Sequence, residues 1–304
     1  MPTVLITGAS SGIGRATALA LAQRGWRVLA GVRREADGRA LRQAAGPAVE
    51  PVLLDVTNPA HVRAAAEAVD RWTGAAGLQG LVNNAGIAAA GPVELVPEAV
   101  WRHQLEVNVV GVVAVTRALL PALRRGRGRL VLMGSVAGLV ALPFMGPYAA
   151  SKFALEALAD ALRIELAPWR IQVCLIEPAA VATPIWARSV EVARRSLLPP
   201  PPDAAPVYQA AVAAMTRVAE RNARRGLAPE VVAEAVVHAL TARRPRSRYL
   251  VAPPGHARQI RLLRWLPTGL RDRLVGATVQ RLLARSRTAP TGAKAVEPTE
   301  PGSG

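Results

Sequence analysis

Thr7-Gly8-Ala9-Ser10-Ser11-Gly12-Ile13-Gly14 lies between a short apolar run, Thr3 to Thr7, and a helical pattern from about Ile13 to Arg24. Glycine reaches positive φ and lets a ligand approach the backbone closely. A helix N-terminus adds N–H donors and the positive end of its dipole. A strand, such a turn and a helix in that order form a site for a diphosphate. The spacing is G-x-x-x-G-x-G, not the standard G-x-G-x-x-G fingerprint. On the turn alone, an ordinary Gly-rich connection is an equal alternative.

Outward from this turn the rhythm repeats. Val28 to Val32, Val52 to Leu54, Gly80 to Val82, Arg129 to Met133 and Ile171 to Ile176 read as short apolar strands. Helical patterns fall between them, at about Pro59 to Trp72, Glu98 to Leu123 and Tyr148 to Ala167. Buried strands alternating with helices predict an α/β fold, a Rossmann-type doubly wound parallel sheet of about seven strands. Residues 1–254 are read as one catalytic domain. An insertion at 183–228, with the Pro199 to Pro202 run, is lid-like. Pro229 to Leu240 is the next helix and Tyr249 to Val251 a last strand. Residues 255–287 are read as basic, Leu-rich helices, and 288–304 as a disordered tail.

Composition bounds the function. The chain has 304 residues, 38 Lys plus Arg against 21 Asp plus Glu, and a net charge of +17. It is 51% apolar, so it has material for a large core, and disorder throughout is excluded. A single cysteine excludes a disulfide scaffold and fits a reducing compartment. No signal-peptide pattern opens the chain, so a cytoplasmic location is expected. Leu130 to Ser151 is uncharged for 22 residues, but its Gly and Pro residues break it into strand, loop and helix start. The four His show no metal-ligand spacing, so no metal is expected.

The charge is uneven. Arg243 to Arg287 contains twelve Arg and one acid, Asp272, and so carries +11 of the +17. Only two basic residues are Lys, namely Lys152 and Lys294. Lys152 stands four residues after Tyr148, on one helix face. With three Tyr and two Lys in the chain, that pairing is expected by chance roughly 0.02 times. A compact ammonium lowers a neighbouring phenol pKa and holds a hydroxyl as a point charge. Ser135 follows the fifth strand, where a side chain faces the ligand crevice, or caps a turn. Arg33 and Arg34 follow the second strand, where Arg accommodates a ribose 2′-phosphate and an acid would bind the 2′-hydroxyl. They favour NADP(H) over NAD(H), against the alternative of a solvated Arg pair.

Together these residues make the chain resemble the short-chain dehydrogenase/reductase family. The T-G-x-x-x-G-x-G turn is Thr7 to Gly14. The adenine-contacting Asp matches Asp55, followed by Val56. The N-N-A-G motif is Asn83-Asn84-Ala85-Gly86, the catalytic Asn matches Asn108, the Ser matches Ser135, and Tyr-x-x-x-Lys is Tyr148 and Lys152. All stand in family order and spacing across about Thr3 to Trp186. One departure is Pro178-Ala179 in place of the family's Pro-Gly, tolerable if Ala179 has negative φ. Val181 and Thr183 match positions near the carboxamide. Glu177-Pro178, Thr183-Pro184, Ser151-Lys152-Phe153 and the long C-terminus look most like the retinol and hydroxysteroid dehydrogenase branch.

The resemblance implies interconversion of a primary or secondary alcohol and its carbonyl by hydride transfer. Tyr148 would be the general acid and base, with its phenol lowered by Lys152 and the oxidised nicotinamide. Ser135 would hydrogen-bond the substrate oxygen. Asn108 would hold a water linking Lys152 to solvent. Cofactor contacts would come from Gly8, Ser10, Ser11, Gly12, Ile13, Gly14, Arg33, Arg34, Asp55, Val56, Asn84, Tyr148, Lys152, Pro178, Val181 and Thr183. The substrate would be lipophilic (steroid-, retinoid- or aliphatic ketone-like), since the insertion carries Ile185, Trp186, Val190, Leu197, Leu198, Val207, Tyr208 and Met215. A homo-oligomer is the family habit. The contrasting reading is a non-catalytic dinucleotide-sensing or membrane-surface protein on this fold.

At the C-terminus, Arg258, Arg261 and Arg264 recur at helical spacing beside Ile260, Leu262, Leu263, Trp265 and Leu266. Such a helix can lie peripherally on an anionic membrane surface. A solvated Arg-rich face over a Leu-packed one explains it equally well. No nucleic-acid motif or aromatic stacking set is present, so no nucleic-acid partner is expected.

Overall fold

A computed structural model describes residues 1–287. The predicted tail, 288–304, lies outside the described residues. Seven strands form one parallel sheet: β1 (Thr3–Ile6), β2 (Arg27–Val32), β3 (Val49–Leu53), β4 (Gly80–Asn83), β5 (Arg129–Met133), β6 (Gln172–Pro178) and β7 (Arg248–Val251). Their order is β3-β2-β1-β4-β5-β6-β7. The order reverses between β1 and β4, which opens a crevice at the C-terminal strand ends.

Alternation along each strand supplies both layers of core, because successive side chains point to opposite faces. Val4 and Ile6 of β1 pack with α1 (Gly12–Gln23) and α9 (Pro229–Thr241), through Leu21, Val236 and Leu240. Leu5 packs on the other face with α3 (Pro59–Thr73), α5 (Gly111–Gly126) and α6 (Gly146–Glu165), through Val69, Leu119 and Leu155.

Two elements depart from the sequence reading. Apolar patterning does not single out α2 (Glu35–Ala45), because only Gly38 and Leu41 of it are buried. The helix expected over Glu98 to Leu123 is broken. It runs as α4 (Glu98–Leu105), a π-turn over Glu106–Val110, and α5. The whole stretch, Glu98–Gly126, is long enough to cross a membrane and contains an 18-residue window of mean hydropathy 1.5. Here it covers the sheet, with Val112, Val115, Leu119 and Leu123 buried.

The insertion forms α7 (Ile185–Ser196) and α8 (Ala205–Arg225). Beyond β7 come α10 (Pro254–Trp265) and α11 (Thr268–Arg287). Ile260 is buried and Leu263 partly buried against Leu139 and Val140, in the loop after Ser135. Leu262 and Trp265 face out, at 63% and 82% exposure.

Candidate active site

Many of the sequence-predicted residues arrive at one edge of the sheet because they follow parallel strands. Gly8 to Gly14 follow β1, Asn84 follows β4, Ser135 follows β5, and Val181 and Thr183 follow β6, which Pro178 ends. Parallel strands place all their C-terminal ends on that side.

The glycine turn is held from two directions. The Thr7 hydroxyl accepts from the backbone N–H groups of Asn84 and Ala85 at 3.0 and 2.9 Å. The Asn84 amide donates to the carbonyls of Thr7 and Gly8 at 2.9 and 3.1 Å. Gly8 and Gly12 have φ of 65° and 54°. A Cβ on Gly14 would lie 2.4 Å from the Gly8 carbonyl oxygen. The turn therefore excludes side chains at the start of α1. Thr183 closes over it, with its methyl 2.9 Å from where a Gly12 Cβ would stand. Ser11 has extended backbone at the N-cap, with no side-chain capping bond, beside Ser10. Ile13 leans on the core. Glycines at 8, 12 and 14 at the N-terminus of a helix suit the close approach of a diphosphate.

Asp55 and Val56 follow β3. Burial pushes the Asp55 carboxyl up, but the backbone N–H and hydroxyl of Thr57, with Arg33 and His61, outweigh it and hold it below its usual value. The two arginines after β2 separate. Arg34 pairs with Asp37 through both fork nitrogens, at 2.9 Å each. Arg33 is exposed, acts on Asp55, and has no carboxylate partner among the described residues. Of these two, Arg33 is the one without a salt bridge among the described residues.

Tyr148 and Lys152 stand one turn apart near the start of α6. Lys152 Nζ lies 5.6 Å from the Tyr148 ring centre and donates to the Met133 carbonyl at 2.7 Å. Burial lowers the Lys152 pKa to about 8. Burial raises the Tyr148 phenol, and the Ser135 hydroxyl pulls the other way. Ser135 has extended backbone, and its Oγ accepts from the Ala137 N–H at 3.1 Å. It caps a turn and adjoins the phenol at once.

Asn108 sits in the π-turn, 1% exposed. Its Oδ1 accepts from the Ile87 N–H at 2.9 Å. Its Nδ2 donates to the Ile87 carbonyl and the Ser151 hydroxyl, both at 3.0 Å. Both amide donors are therefore engaged. Gln104, one turn earlier and fully buried, accepts from Ala89 N–H at 2.7 Å and donates to Ile87 at 2.9 Å. Sequence reasoning did not find Gln104 or Ser151. A polar residue at i−4 from Asn108 was the available signal.

Pro178 ends β6, and Ala179 is absent from the residues with positive φ, so alanine fits there. Val181 pairs with Leu227 and accepts from the Trp186 indole at 2.7 Å. Several apolar residues of the insertion pack rather than line a cavity. Leu197, for instance, fills the space beside Gly91.

The family model described as short chain dehydrogenase matches residues 2–193. The chain is 39% identical to retinol dehydrogenase 5 of Mus musculus, over 93% of this chain and 89% of that one. It is 34% identical to the NADPH-dependent 3-dehydrocapnine reductase of Ornithobacterium rhinotracheale, over 83% and 89%. Among solved structures, a short-chain dehydrogenase/reductase from Burkholderia phymatum in complex with NAD has TM-score 0.74 at 31% identity, covering 86% of this chain and 92% of that one. One from Burkholderia cenocepacia J2315 in complex with NADP has TM-score 0.64 at 27% identity, covering 95% and 98%. With the family model matching residues 2–193 and a relative 39% identical over most of both chains, the chain belongs to the short-chain dehydrogenase family of oxidoreductases.

Proposed function

We propose that this enzyme interconverts a lipophilic alcohol and its carbonyl, using NADP(H). The observation that carries the reading is the meeting of Ser135, Tyr148 and Lys152 beside the glycine turn. Gly8, Ser10, Ser11, Gly12, Ile13 and Gly14 would cradle the diphosphate. Asp55, Val56 and Asn84 would bound the adenosine half. Pro178, Val181 and Thr183 would face the carboxamide. Arg33 supports NADP(H), since its guanidinium forms no salt bridge among the described residues, whereas Arg34 is committed to Asp37. When bound, the nicotinamide gives or accepts the hydride.

The chain's own part is proton control. In reduction Tyr148 gives its proton to the substrate oxygen, and in oxidation it takes one. Ser135 donates a hydrogen bond to that oxygen as charge develops. The Lys152 ammonium, which donates to the Met133 carbonyl, would hold the ribose and would favour the tyrosinate once the site is charged. Asn108, whose amide is fixed by Ile87 and Ser151, would hold a water linking Lys152 to solvent. Tyr148→Phe should abolish turnover in a screen of steroids, retinoids and aliphatic ketones, with dinucleotide binding retained. Turnover by that variant removes the mechanism.

A second reading concerns where the enzyme works: in the cytoplasm, peripheral on an anionic membrane. Outward-facing Leu262 and Trp265 beside Arg258, Arg261 and Arg264 support it. Full-length protein should sediment with anionic but not zwitterionic liposomes, and Leu262→Glu with Trp265→Glu should release it. Equal partitioning of variant and parent removes this reading.

A further inference from the structure

Tyr148, Lys152, Glu156 and Asp160 stand at successive turns of α6. The first two belong to the candidate site. The last two end on one guanidinium, that of Arg248 in β7. Arg248 Nη1 donates to Glu156 Oε2 and, at 3.0 Å, to Glu177 Oε1. Its Nη2 donates to both Asp160 oxygens, at 2.8 and 2.9 Å. Glu177 immediately precedes Pro178. The Glu156 and Glu177 side chains are only 12% and 4% exposed. The loop carrying Ser135 rests on the same turn of α6. A Cβ on Gly138 would lie 2.8 Å from the Lys152 carbonyl and 3.2 Å from Glu156 Cγ.

Stability alone does not call for this cluster. Buried ion pairs are often matched or exceeded by apolar residues of the same volume. Burial pushes the Glu177 carboxyl up to about 7, against the pull of Arg264 and with the push of Asp160. Glu156 Oε1 is buried with no partner among the described residues. What the cluster does supply is geometry. A planar fork meets carboxylates at fixed angles, as an ammonium does not.

We propose that Arg248, with Glu156 and Glu177, is a positioning group for the reaction. It fixes α6 against β6 and so sets Tyr148, Lys152 and Ser135 against the loop after Pro178. The inference rests on the reading of Tyr148 given above. Arg248 touches neither substrate nor reacting atoms and acts only through the distance between these elements. A displacement of about 1 Å at a reacting centre costs about a hundredfold in rate.

The test uses the full-length enzyme and Arg248→Lys, which keeps the charge and loses the fork. We expect kcat to fall about 10- to 100-fold. Dinucleotide affinity, read by fluorescence titration, should fall by much less than kcat, and Tm should fall by a few degrees, because two nearly buried carboxylates lose the fork that paired them. The deuterium isotope effect on kcat, with labelled reduced dinucleotide, should rise as hydride transfer becomes limiting. Glu156→Gln, which keeps shape and one hydrogen bond, should show the same pattern and decides the matter if Arg248→Lys does not fold. Parental kcat and isotope effect in the folded variants overturn the proposal, as does a loss of kcat that only follows losses of Tm and affinity. If Tyr148→Phe still turns over, the underlying reading fails instead, which separates the two failures.

Discussion

Lys152→Met should make the folded protein more stable while ending turnover. The Lys152 side chain is among the buried charged groups, at 6% exposure. Burial takes its pKa from 10.5 to about 8. A gap of that size corresponds to about 3 kcal/mol of disfavoured charge at neutral pH. Methionine keeps the apolar stem and nearly the same volume. It gives up the bond to the Met133 carbonyl, at a cost of about 1 kcal/mol. The net gain is about 2 kcal/mol, or about 5 °C in Tm for a domain of this size. The sign reverses with pH. Between the folded and unfolded pKa values, the unfolded chain holds a proton that the folded one has released. The parent therefore gains stability as pH rises from about 8 to 10.5. The variant does not, so its advantage fades across that window. Tyr148 is present in parent and variant alike, so its titration drops out of the difference between them. Urea unfolding at pH 7 and pH 10, without added dinucleotide, reads both effects. A variant less stable than the parent at pH 7, or an advantage unchanged at pH 10, refutes the reasoning.

Two substitutions test the cofactor side. Gly14→Ala places a Cβ 2.4 Å from the Gly8 carbonyl oxygen and 2.5 Å from the Asn84 amide. It should destabilise by about 1–3 kcal/mol and weaken dinucleotide binding at least tenfold in a fluorescence titration, because the overlap lies with backbone. Arg33→Glu should raise the KM for NADPH at least tenfold and spare that for NADH, whereas Arg34→Ala should change little, since Asp37 occupies its fork. Equal effects of the two on the NADPH/NADH ratio count against the assignment of Arg33.

The parts of this molecule that the sequence reveals are those whose geometry is local. The glycine turn declares itself between a strand and a helix, and Tyr148 and Lys152 share a face through four-residue spacing. Asn108 was legible as a motif, but not its π-turn, since a one-residue widening leaves the apolar pattern of α4 and α5 intact. The Arg34–Asp37 pair was open to the same spacing rule that picked out Lys152. Helix α2 was hidden because it buries almost nothing. The Arg248 cluster was out of reach for a different reason. Its partners lie 71, 88 and 92 residues away, and only the closing of β6 on β7 brings them together.

That contrast bears on why one lysine persists in a chain otherwise almost wholly committed to arginine. At Arg248 the task is to hold three carboxylates at set angles, and a planar, permanently charged fork does this. At Lys152 the demands are opposite. The group must sit in a buried slot and reach the Met133 carbonyl at 2.7 Å. It must also tolerate a pKa lowered by burial to about 8. An arginine there would stay protonated at every accessible pH. It would also bring five donors into a place that offers one carbonyl acceptor, leaving the rest buried and unpaired. The ammonium carries less unsatisfied hydrogen-bonding capacity and can yield its proton. Composition bias and chemistry therefore pull in opposite directions at this one position, and the chemistry prevails.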